Sequence, residues 1–219
     1  DPNTLAGGID QDTLNALNRD VTQPLFNRAI AGRYPPGSIV KPFLGLAATA
    51  EGYINPNETL YCDGTFELPD VSRVWRDWKP EGHGHVDLTQ SVAQSCDIYF
   101  YELANDMGID AMHEWMSRFG YGQPTSIDLP SERSGVMPSR TWKRNTLGEP
   151  WYTGETINTG IGQGFTLATP IQMATSTALI ANRGQPVRPQ LLAKPEALSL
   201  GPTIEPIELA EESHWQPAW

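Results

Sequence analysis

A rigid Tyr-Pro-Pro-Gly loop at residues 34–37 leads directly into an apolar stretch. Proline fixes φ near one value, so few conformations are open to this loop. Nearly every side chain in residues 38–50 is apolar or small, which predicts a helix that is buried on all sides. Pro42 falls in the first turns of this helix, where a missing N–H costs little because those donors lack intrahelical partners. We therefore expect a loop that fixes the start of a central helix.

Two helices are predicted in the middle of the chain. Residues 87–107 indicate a helix with a break near Ser95, and Gly108 suits its C-terminal cap. Residues 110–119 form an amphipathic pattern that Asp110 can cap. The apolar residues that share one face of this second helix are Met112, Trp115, Met116 and Phe119.

A further helix opens at Thr169-Pro170, with proline at its first position, and ends at Arg183-Gly184. The segments 52–84 and 185–219 are rich in loops, with short or weak strands at most. The 20 glycines and 19 prolines of the sequence agree with many loops. Because few strands are visible, the chain is predicted to be mostly the helical part of its domain.

Charge and length exclude some functions. A chain of 219 residues is long enough for one domain with a real core. The net charge of −11 argues against binding to nucleic acid, whose backbone requires clustered Lys and Arg. No apolar run is long enough to span a bilayer, so we expect this piece to be soluble, whether or not it comes from an anchored or secreted parent.

Ser38 and Lys41 are the first candidate catalytic pair. On a helix, residues i and i+3 share a face, so the Ser38 hydroxyl and the Lys41 amine can meet. A serine hydroxyl needs a base to become a nucleophile, and a lysine can serve when its surroundings favour the neutral amine. The rigid loop before Ser38 pins the hydroxyl at a helix start, where backbone N–H groups can face an oxyanion.

A second candidate group is the tripeptide Ser95-Cys96-Asp97. A serine close to the first pair can relay protons between Lys41 and a leaving group. Asp97 can bind a substrate amide or orient its neighbours. Taken alone, the tripeptide fits a polar break between two helical segments better than it fits a catalytic role.

Cysteine, histidine and carboxylate side chains are the ligands that zinc prefers. Most of the candidates lie in the loop-rich stretch before the second helix, but they include no Cys-x-x-Cys pair. A zinc site, a Cys62–Cys96 disulfide and two free thiols therefore all remain open. The candidate ligands are Cys62, Asp63, Asp77, His83, His85 and Cys96.

Ser-x-x-Lys, followed by Ser-Asp-Asn and then Lys-Thr-Gly, is the motif set of serine β-lactamases and penicillin-binding proteins. Around its first two motifs the chain resembles the class B penicillin-binding proteins, and most closely their elongation-specific type, penicillin-binding protein 2. Asp97, where many relatives have Asn, also resembles that type. The stretches that carry the resemblance are 33–38, 76–79, 82–84, 107–110, 119–122, 160–164 and 168–173.

The resemblance implies an α+β transpeptidase fold of the penicillin-binding and serine β-lactamase kind, and a peptidoglycan D,D-transpeptidase. Ser38 would attack a stem peptide, or a β-lactam, to form an acyl-enzyme. Lys41 would be the general base and Ser95 the proton relay, while Asp97 occupies the Asn position of the second motif.

The chain departs from the family at its third motif, Lys-[Ser/Thr]-Gly. None of its four lysines is followed by Ser-Gly or Thr-Gly. We therefore expect residues 1–219 to be a partial transpeptidase domain that covers mainly the helical part, with much of the central antiparallel sheet missing. Alone, this piece is predicted not to cross-link peptides.

The resemblance also bears on the metal. Some elongation-type relatives bind zinc beside the active site through an Asp-Asp-His-Cys set. The last three positions match Asp77, His83 and Cys96, and the first falls at Cys62 or its neighbour Asp63. With Cys62 the set would be a Cys₂-His-Asp tetrahedron, so zinc is the favoured reading. No organic cofactor is implied.

The family's partners are the peptidoglycan stem peptide, β-lactam antibiotics, a membrane glycosyltransferase and the rod-shape elongation proteins. The implied location is the periplasm, with the parent anchored to the inner membrane by one N-terminal helix. The alternatives are a β-lactamase or β-lactam sensor of the same fold, and a non-catalytic scaffold for wall-synthesis proteins. A plain zinc-stabilised module would leave Ser38 and Lys41 unexplained.

Overall fold

The structure, a computed structural model, describes residues 3–192 and 204–207. Helices dominate this part of the chain, with a 3₁₀ turn at Gly37–Val40 directly before α4. The helices are α1 (Asn3–Ala6), α2 (Gln11–Arg19), α3 (Arg28–Ala31), α4 (Lys41–Ala50), α5 (Leu88–Ala93), α6 (Asp97–Arg118), α7 (Arg140–Leu147), α8 (Thr153–Gly160) and α9 (Pro170–Ala181).

The predicted central helix is present, but it begins later than expected. Ser38 lies in the 3₁₀ turn, and the α-helix itself starts at Lys41, with Pro42 in its first turn. Eight of the ten residues of α4 are buried, which confirms the prediction from its apolar composition. The helix packs against α6, which in turn packs closely on α8.

Glycine permits the closest of these helix contacts. At Gly160, near the end of α8, a Cβ atom would lie 2.5 Å from the Cβ of Ala104 and 2.8 Å from the carbonyl oxygen of Phe100. Real Cβ atoms do not approach other atoms this closely, so only glycine lets α8 approach α6 to this extent. The contact places the loop after α8 beside the start of α4.

The predicted break near Ser95 is confirmed. Asp87 caps α5 through a capping box with Gln90, and α5 ends before Ser95, whose φ is +55°. A positive φ is uncommon for a residue with a side chain, and such strain is often found at functional sites. The second motif therefore sits in a short, strained connection between α5 and α6.

Helix α6 has a kink at Gly108, where φ is +72° and ψ is 166°. The kink divides it into the two helical segments that the sequence predicts. Asp110 was expected to cap the second segment, but its carboxylate instead accepts a hydrogen bond from Arg140 at 2.9 Å. The apolar face predicted for this segment is buried, with Met112 fully so.

Between α4 and α5 the chain forms four short strands: β1 (Leu60–Cys62), β2 (Thr65–Glu67), β3 (Val74–Arg76) and β4 (Gly84–Val86). They pair as two antiparallel ladders. Strand β1 pairs with β4, with Cys62 opposite Gly84, and β2 pairs with β3, with Phe66 opposite Trp75. This agrees with the predicted loop-rich stretch with short extended pieces.

Helix α9 begins as predicted, with Thr169 and Gln172 forming a capping box and Pro170 in the first turn. The described parts of the C-terminal stretch, residues 185–192 and 204–207, contain no helix or strand, and the remainder of that prediction lies outside the described residues. Among the helices that the structure describes, none is long and apolar enough to cross a membrane. The helix-rich α+β class is confirmed.

Candidate active site and metal cluster

Two pairs of main-chain contacts hold the loop that precedes Ser38. Tyr34 and Ala168 exchange two backbone hydrogen bonds of 2.9 Å each, and the N–H of Gly37 donates to the carbonyl of Gly162 at 3.0 Å. At Gly162, φ is +67° and a Cβ would lie 2.3 Å from the Gly37 oxygen. The backbone of 162–168 therefore fixes both ends of the loop, while Ser38 itself is exposed.

The Lys41 side chain is buried, with only 1% of the residue exposed. Its nitrogen lies within hydrogen-bond distance of three oxygens: the backbone oxygen of Ser95 at 2.9 Å, the Ser95 hydroxyl at 3.0 Å and the Asp97 carboxylate at 2.6 Å. An ammonium has three donors, so the protonated form of Lys41 has an acceptor for each of them. The ring of Phe100 lies 5.4 Å away on another side.

Ser95 connects the two residues of the first motif. Its hydroxyl is 2.7 Å from the Ser38 hydroxyl and 3.0 Å from the Lys41 nitrogen. Both distances suit proton transfer along a hydrogen bond. The sequence predicts a meeting of Ser38 with Lys41, and the structure joins them through the hydroxyl of Ser95.

Asp97 occupies the first turn of α6, where a negative charge is favourable beside the helix N-terminus. The residue before it, Cys96, provides no side-chain cap. Asp77 supplies one from outside the helix, because its Oδ2 accepts the Asp97 N–H at 2.8 Å and the Ile98 N–H at 3.4 Å. Asp77 thus sets the position of the second motif.

Ser38, Ser95 and Asp97 share the wall of an open cleft of about 350 Å³. Three residues that sequence reasoning did not single out as site residues, Trp78, Ile161 and Gln163, complete the lining. All three belong to stretches that the resemblance includes, 76–79 and 160–164, and that is the only sequence signal they have.

The predicted metal ligands form one cluster. One ligand atom from each of Cys62, Asp77, His83 and Cys96 lies within 4.8 Å of the others. The Cys62 sulfur is 3.7 Å from Asp77 Oδ2 and 3.6 Å from His83 Nδ1. Both cysteines are buried free thiols, so the disulfide alternative is not formed.

Of the two neighbours Cys62 and Asp63, only Cys62 belongs to this cluster in the part of the chain that the structure describes. Cys62 points into the cluster, whereas the Asp63 carboxylate accepts hydrogen bonds from the backbone and hydroxyl of Thr65. His85, another candidate, is exposed and packs its ring against Tyr61 at 5.1 Å.

The cluster fits a divalent metal by its chemistry. Two thiols, an imidazole and a carboxylate are a tetrahedral zinc donor set. Burial raises the pKa of the Cys96 thiol, and neighbouring Cys62 and Asp77 act in the same direction. A cation at the centre would offset the cost of gathering these groups out of water. Within the described residues, the buried Nε2 of His83 also lacks a hydrogen-bond partner.

The comparisons with known proteins agree on one family. Residues 1–216 match the family described as penicillin binding protein transpeptidase domain. The peptidoglycan D,D-transpeptidase MrdA of Escherichia coli strain K12 is 47% identical over 192 residues, or 88% of this chain. The chain spans 30% of the length of that relative.

Two solved structures show the same fold at similar identity. The crystal structure of Pseudomonas aeruginosa PBP2 in complex with WCK 5153 has a TM-score of 0.91 and 40% identity, over 100% of this chain and 48% of that one. The complex between PBP2 and MreC from Helicobacter pylori has a TM-score of 0.83 and 34% identity, over 92% of this chain and 37% of that one.

Proposed function

This chain belongs to the penicillin-binding protein transpeptidase domain family, and we propose that it carries the nucleophile of a peptidoglycan D,D-transpeptidase that acts in cell elongation. The observation that carries the proposal is the continuous path from the Ser38 hydroxyl through Ser95 to Lys41. An exposed serine connected in this way to a buried lysine is an arrangement for nucleophilic catalysis.

In the proposed reaction, Ser38 Oγ attacks the carbonyl carbon of the penultimate D-Ala of a stem peptide. A C–O bond forms, the C–N bond to the terminal D-Ala breaks, and an acyl-enzyme results. The hydroxyl proton passes to Lys41, which accepts it as the neutral amine, either directly or through Ser95, and then to the nitrogen of the departing D-Ala. An amine from a neighbouring strand then attacks the acyl carbon and forms a new C–N bond, the C–O bond to Ser38 breaks, and the proton lost by the amine returns through Lys41 and Ser95 to Ser38 Oγ.

Asp97 has a defined part in this scheme. Its carboxylate holds the Lys41 ammonium at 2.6 Å and so stabilises the protonated form that exists after Ser38 gives up its proton. Ser95 offers an oxygen to both groups without carrying charge. The path can therefore hold a proton at Lys41 in the acyl-transfer step and release it towards the cleft through Ser95.

We propose that residues 1–219 are part of a longer transpeptidase domain whose Lys-[Ser/Thr]-Gly motif lies outside this sequence. The supporting observation is that the chain covers 30% of the MrdA relative. The test is turnover of a D-Ala-D-Ala peptide by residues 1–219 alone. We expect none, and measurable turnover would overturn this proposal.

The function is tested with a labelled penicillin on the full-length protein. We expect a label on Ser38 that stays for long periods, and no label in the Ser38→Ala variant. Rapid release of hydrolysed penicillin would show a β-lactamase instead. A wild-type protein that never takes up label would favour a scaffold.

We propose that Cys62, Asp77, His83 and Cys96 hold Zn²⁺ as a structural ion close to the active site. The supporting observation is that all four donors meet within 4.8 Å. When bound, the ion would offset most of the negative charge of the cluster and fix its side chains, while Asp77 also caps α6. Native mass spectrometry with elemental analysis should give one zinc per chain. A Cys62–Cys96 disulfide without metal would end this proposal.

The family relationship also supports partners and a location. The structural relative from Helicobacter pylori is a complex with MreC, and we propose that this protein works with rod-shape elongation proteins and a membrane glycosyltransferase. The proposed location is the periplasm, with one membrane anchor in the parent. Co-purification of the full-length protein with these partners from membranes is the test, and a purely cytoplasmic protein would contradict it.

A further inference from the structure

The chain has a second buried lysine, Lys143, beside the middle of the segment 162–168 that fixes the nucleophile loop. Only 1% of Lys143 is exposed. Its ammonium forms an ion pair with Glu155 and lies 3.5 Å from Glu149. It also faces the rings of Tyr152, at 4.3 Å, and Phe165, at 5.7 Å. The positive charge of Lys143 is therefore stabilised both by carboxylates and by the faces of aromatic rings.

The ring of Phe165 is held from several directions. It packs against Trp142 at 5.3 Å and against Trp151 at 6.4 Å between ring centroids. The indole of Trp151 is itself fixed, because its N–H donates to the hydroxyl of Thr156 at 2.8 Å. We refer to Lys143, Glu155 and the rings of Trp142, Trp151, Tyr152 and Phe165 as the Lys143 box.

Phe165 is the midpoint of the segment that fixes the nucleophile loop. Three residues before it, Gly162 accepts the N–H of Gly37, and three residues after it, Ala168 pairs with Tyr34. Both ends of the loop before the nucleophile are thus bonded to one short segment. Because the Lys143 box holds the middle of that segment, a shift of Phe165 would move both attachment points.

Gln163 belongs to the same segment and lines the cleft beside Ser38. Its backbone N–H donates to the carbonyl of Asn158 in α8, at 3.0 Å. Glu155 lies on the same helix, so the box holds α8 as well as Phe165. The nucleophile loop and one wall of the cleft therefore depend on the same anchor.

We propose that Lys143, together with Glu155, is a positioning residue for acyl transfer: it fixes Phe165 and thereby the segment that sets the place of Ser38 and Gln163. This inference rests on the proposed function. The carboxylates and rings that hold the Lys143 ammonium are not among the cleft-lining residues, so we propose that its action is indirect.

The electrostatics of the box agree with this role. Burial lowers the pKa of Lys143, but the hydrogen bond and charge of Glu155, together with Glu149, outweigh burial and raise it overall. The lysine therefore stays charged across the physiological pH range. Removing its charge would leave the Glu155 carboxylate without its partner, and an unpaired, partly buried charge forces its surroundings to rearrange.

The test is single-turnover acylation of the full-length protein by a fluorescent penicillin, which separates the binding constant from the acylation rate constant k2 at saturation. In Lys143→Met we expect k2 to fall about ten- to a hundredfold, because small displacements of reacting groups have effects of that size. Lys143→Arg keeps the charge and should restore most of k2. The matched control is Arg144→Met, an exposed neighbour on the same helix, which should behave as wild type.

The amplitude of the reaction reports the folded fraction, and k2 reports the geometry of the molecules that are folded. If Lys143→Met lowers only the amplitude or the melting temperature and leaves k2 unchanged, Lys143 is merely structural and the inference is wrong. If that variant does not fold, Glu155→Gln is judged by the same criterion. A wild-type protein that is not acylated at Ser38 would instead overturn the proposed function itself.

Discussion

Lys41 and Lys143 are equally buried, each 1% exposed, yet their surroundings differ in kind. Lys41 meets one carboxylate, one hydroxyl and one backbone oxygen, and the hydroxyl continues the path to an exposed serine. Lys143 meets two carboxylates and aromatic faces, and its two carboxylate partners lie outside the cleft.

The difference shows that burial of a lysine does not by itself indicate catalysis. What distinguishes Lys41 is a neutral partner, Ser95, that can both accept and donate a proton. A carboxylate such as Glu155 can hold an ammonium but offers no onward route for a proton at neutral pH. The first environment suits proton transfer, and the second suits fixing a structure.

Substitution of Lys41 should have the largest effect on the acylation rate constant k2, and it compares the roles of the two lysines directly. Lys41→Met removes the proposed base and should lower k2 for penicillin by at least about a thousandfold, within the range known for loss of a general base. The expected loss in Lys143→Met is far smaller. Stopped-flow acylation of both full-length variants is the measurement. Equal losses would mean that the two lysines do not differ in role.

Ser95→Ala tests whether the hydroxyl link is what makes the Lys41 environment different. It removes the oxygen between Ser38 and Lys41 but leaves the backbone oxygen and Asp97 in place for the ammonium. We expect k2 to fall about a hundredfold with the melting temperature nearly unchanged. Ser91→Ala, a buried serine on α5, controls for loss of a hydroxyl in this region. A wild-type k2 in Ser95→Ala would show that Lys41 acts on Ser38 without a relay.

Removal of the proposed zinc should disturb the Lys41 region and spare the Lys143 region, because Asp77 belongs to the cluster and also caps α6. Chelation, or the variant Cys62→Ser, should lower the free energy of unfolding by about 2–3 kcal/mol when free zinc exceeds its dissociation constant a hundredfold. Hydrogen exchange should rise around residues 95–98 and stay constant around 143–155. Equal changes of hydrogen exchange in both regions, or no change in either, would contradict the coupling between the metal cluster and the start of α6.

The smallest expected effect concerns Asp128, which is not an ion-pair partner of Lys41 or Lys143. Asp128 accepts the backbone N–H groups of Leu191 and Leu192 at 2.7 Å each, and these hydrogen bonds lower the pKa of Asp128. A lowered folded pKa contributes stability above the ordinary aspartate value of about 3.9, and this stability is lost as pH falls through the folded value.

We therefore expect Asp128→Asn to speed amide exchange at residues 191 and 192 at pH 7, where the wild-type carboxylate is charged. At a pH below the folded value, the two proteins should exchange at the same rate. Exchange measured by mass spectrometry is the readout, and k2 should match wild type throughout. A difference between the two proteins that persists in acid would refute the explanation by charge.

The Lys41 region could be largely predicted from sequence, and the Lys143 region could not. Nearly all of residues 38–50 are apolar or small, and the Ser-x-x-Lys spacing is local, so both the helix and the motif can be recognised from the sequence alone. Helix α8, in contrast, has the sequence TGETINTG, whose glycines and threonines are poor helix formers. Its close packing on α6 overrides that propensity.

The metal cluster could be predicted from the sequence only in part. Residue types indicated zinc ligands, but Cys62 and Asp63 are adjacent, and only strand geometry decides which side chain faces Asp77. Trp78 and Gln163 reach the cleft from separate loops, and no local pattern reports that contact. Sequence reasoning therefore found the residues with distinctive chemistry and missed those whose importance comes from position.

The two-ended attachment of the nucleophile loop has a consequence for evolution. The contacts of Tyr34 with Ala168 and of Gly37 with Gly162 are made by backbone atoms, which most substitutions leave unchanged. Side chains at the rim of the cleft, such as Trp78 and Gln163, can therefore vary without displacing Ser38. A lineage under antibiotic pressure can alter which molecules enter the cleft while it retains the reaction. Gly37 and Gly162 both have a positive φ, so we expect these two positions to tolerate little sequence variation.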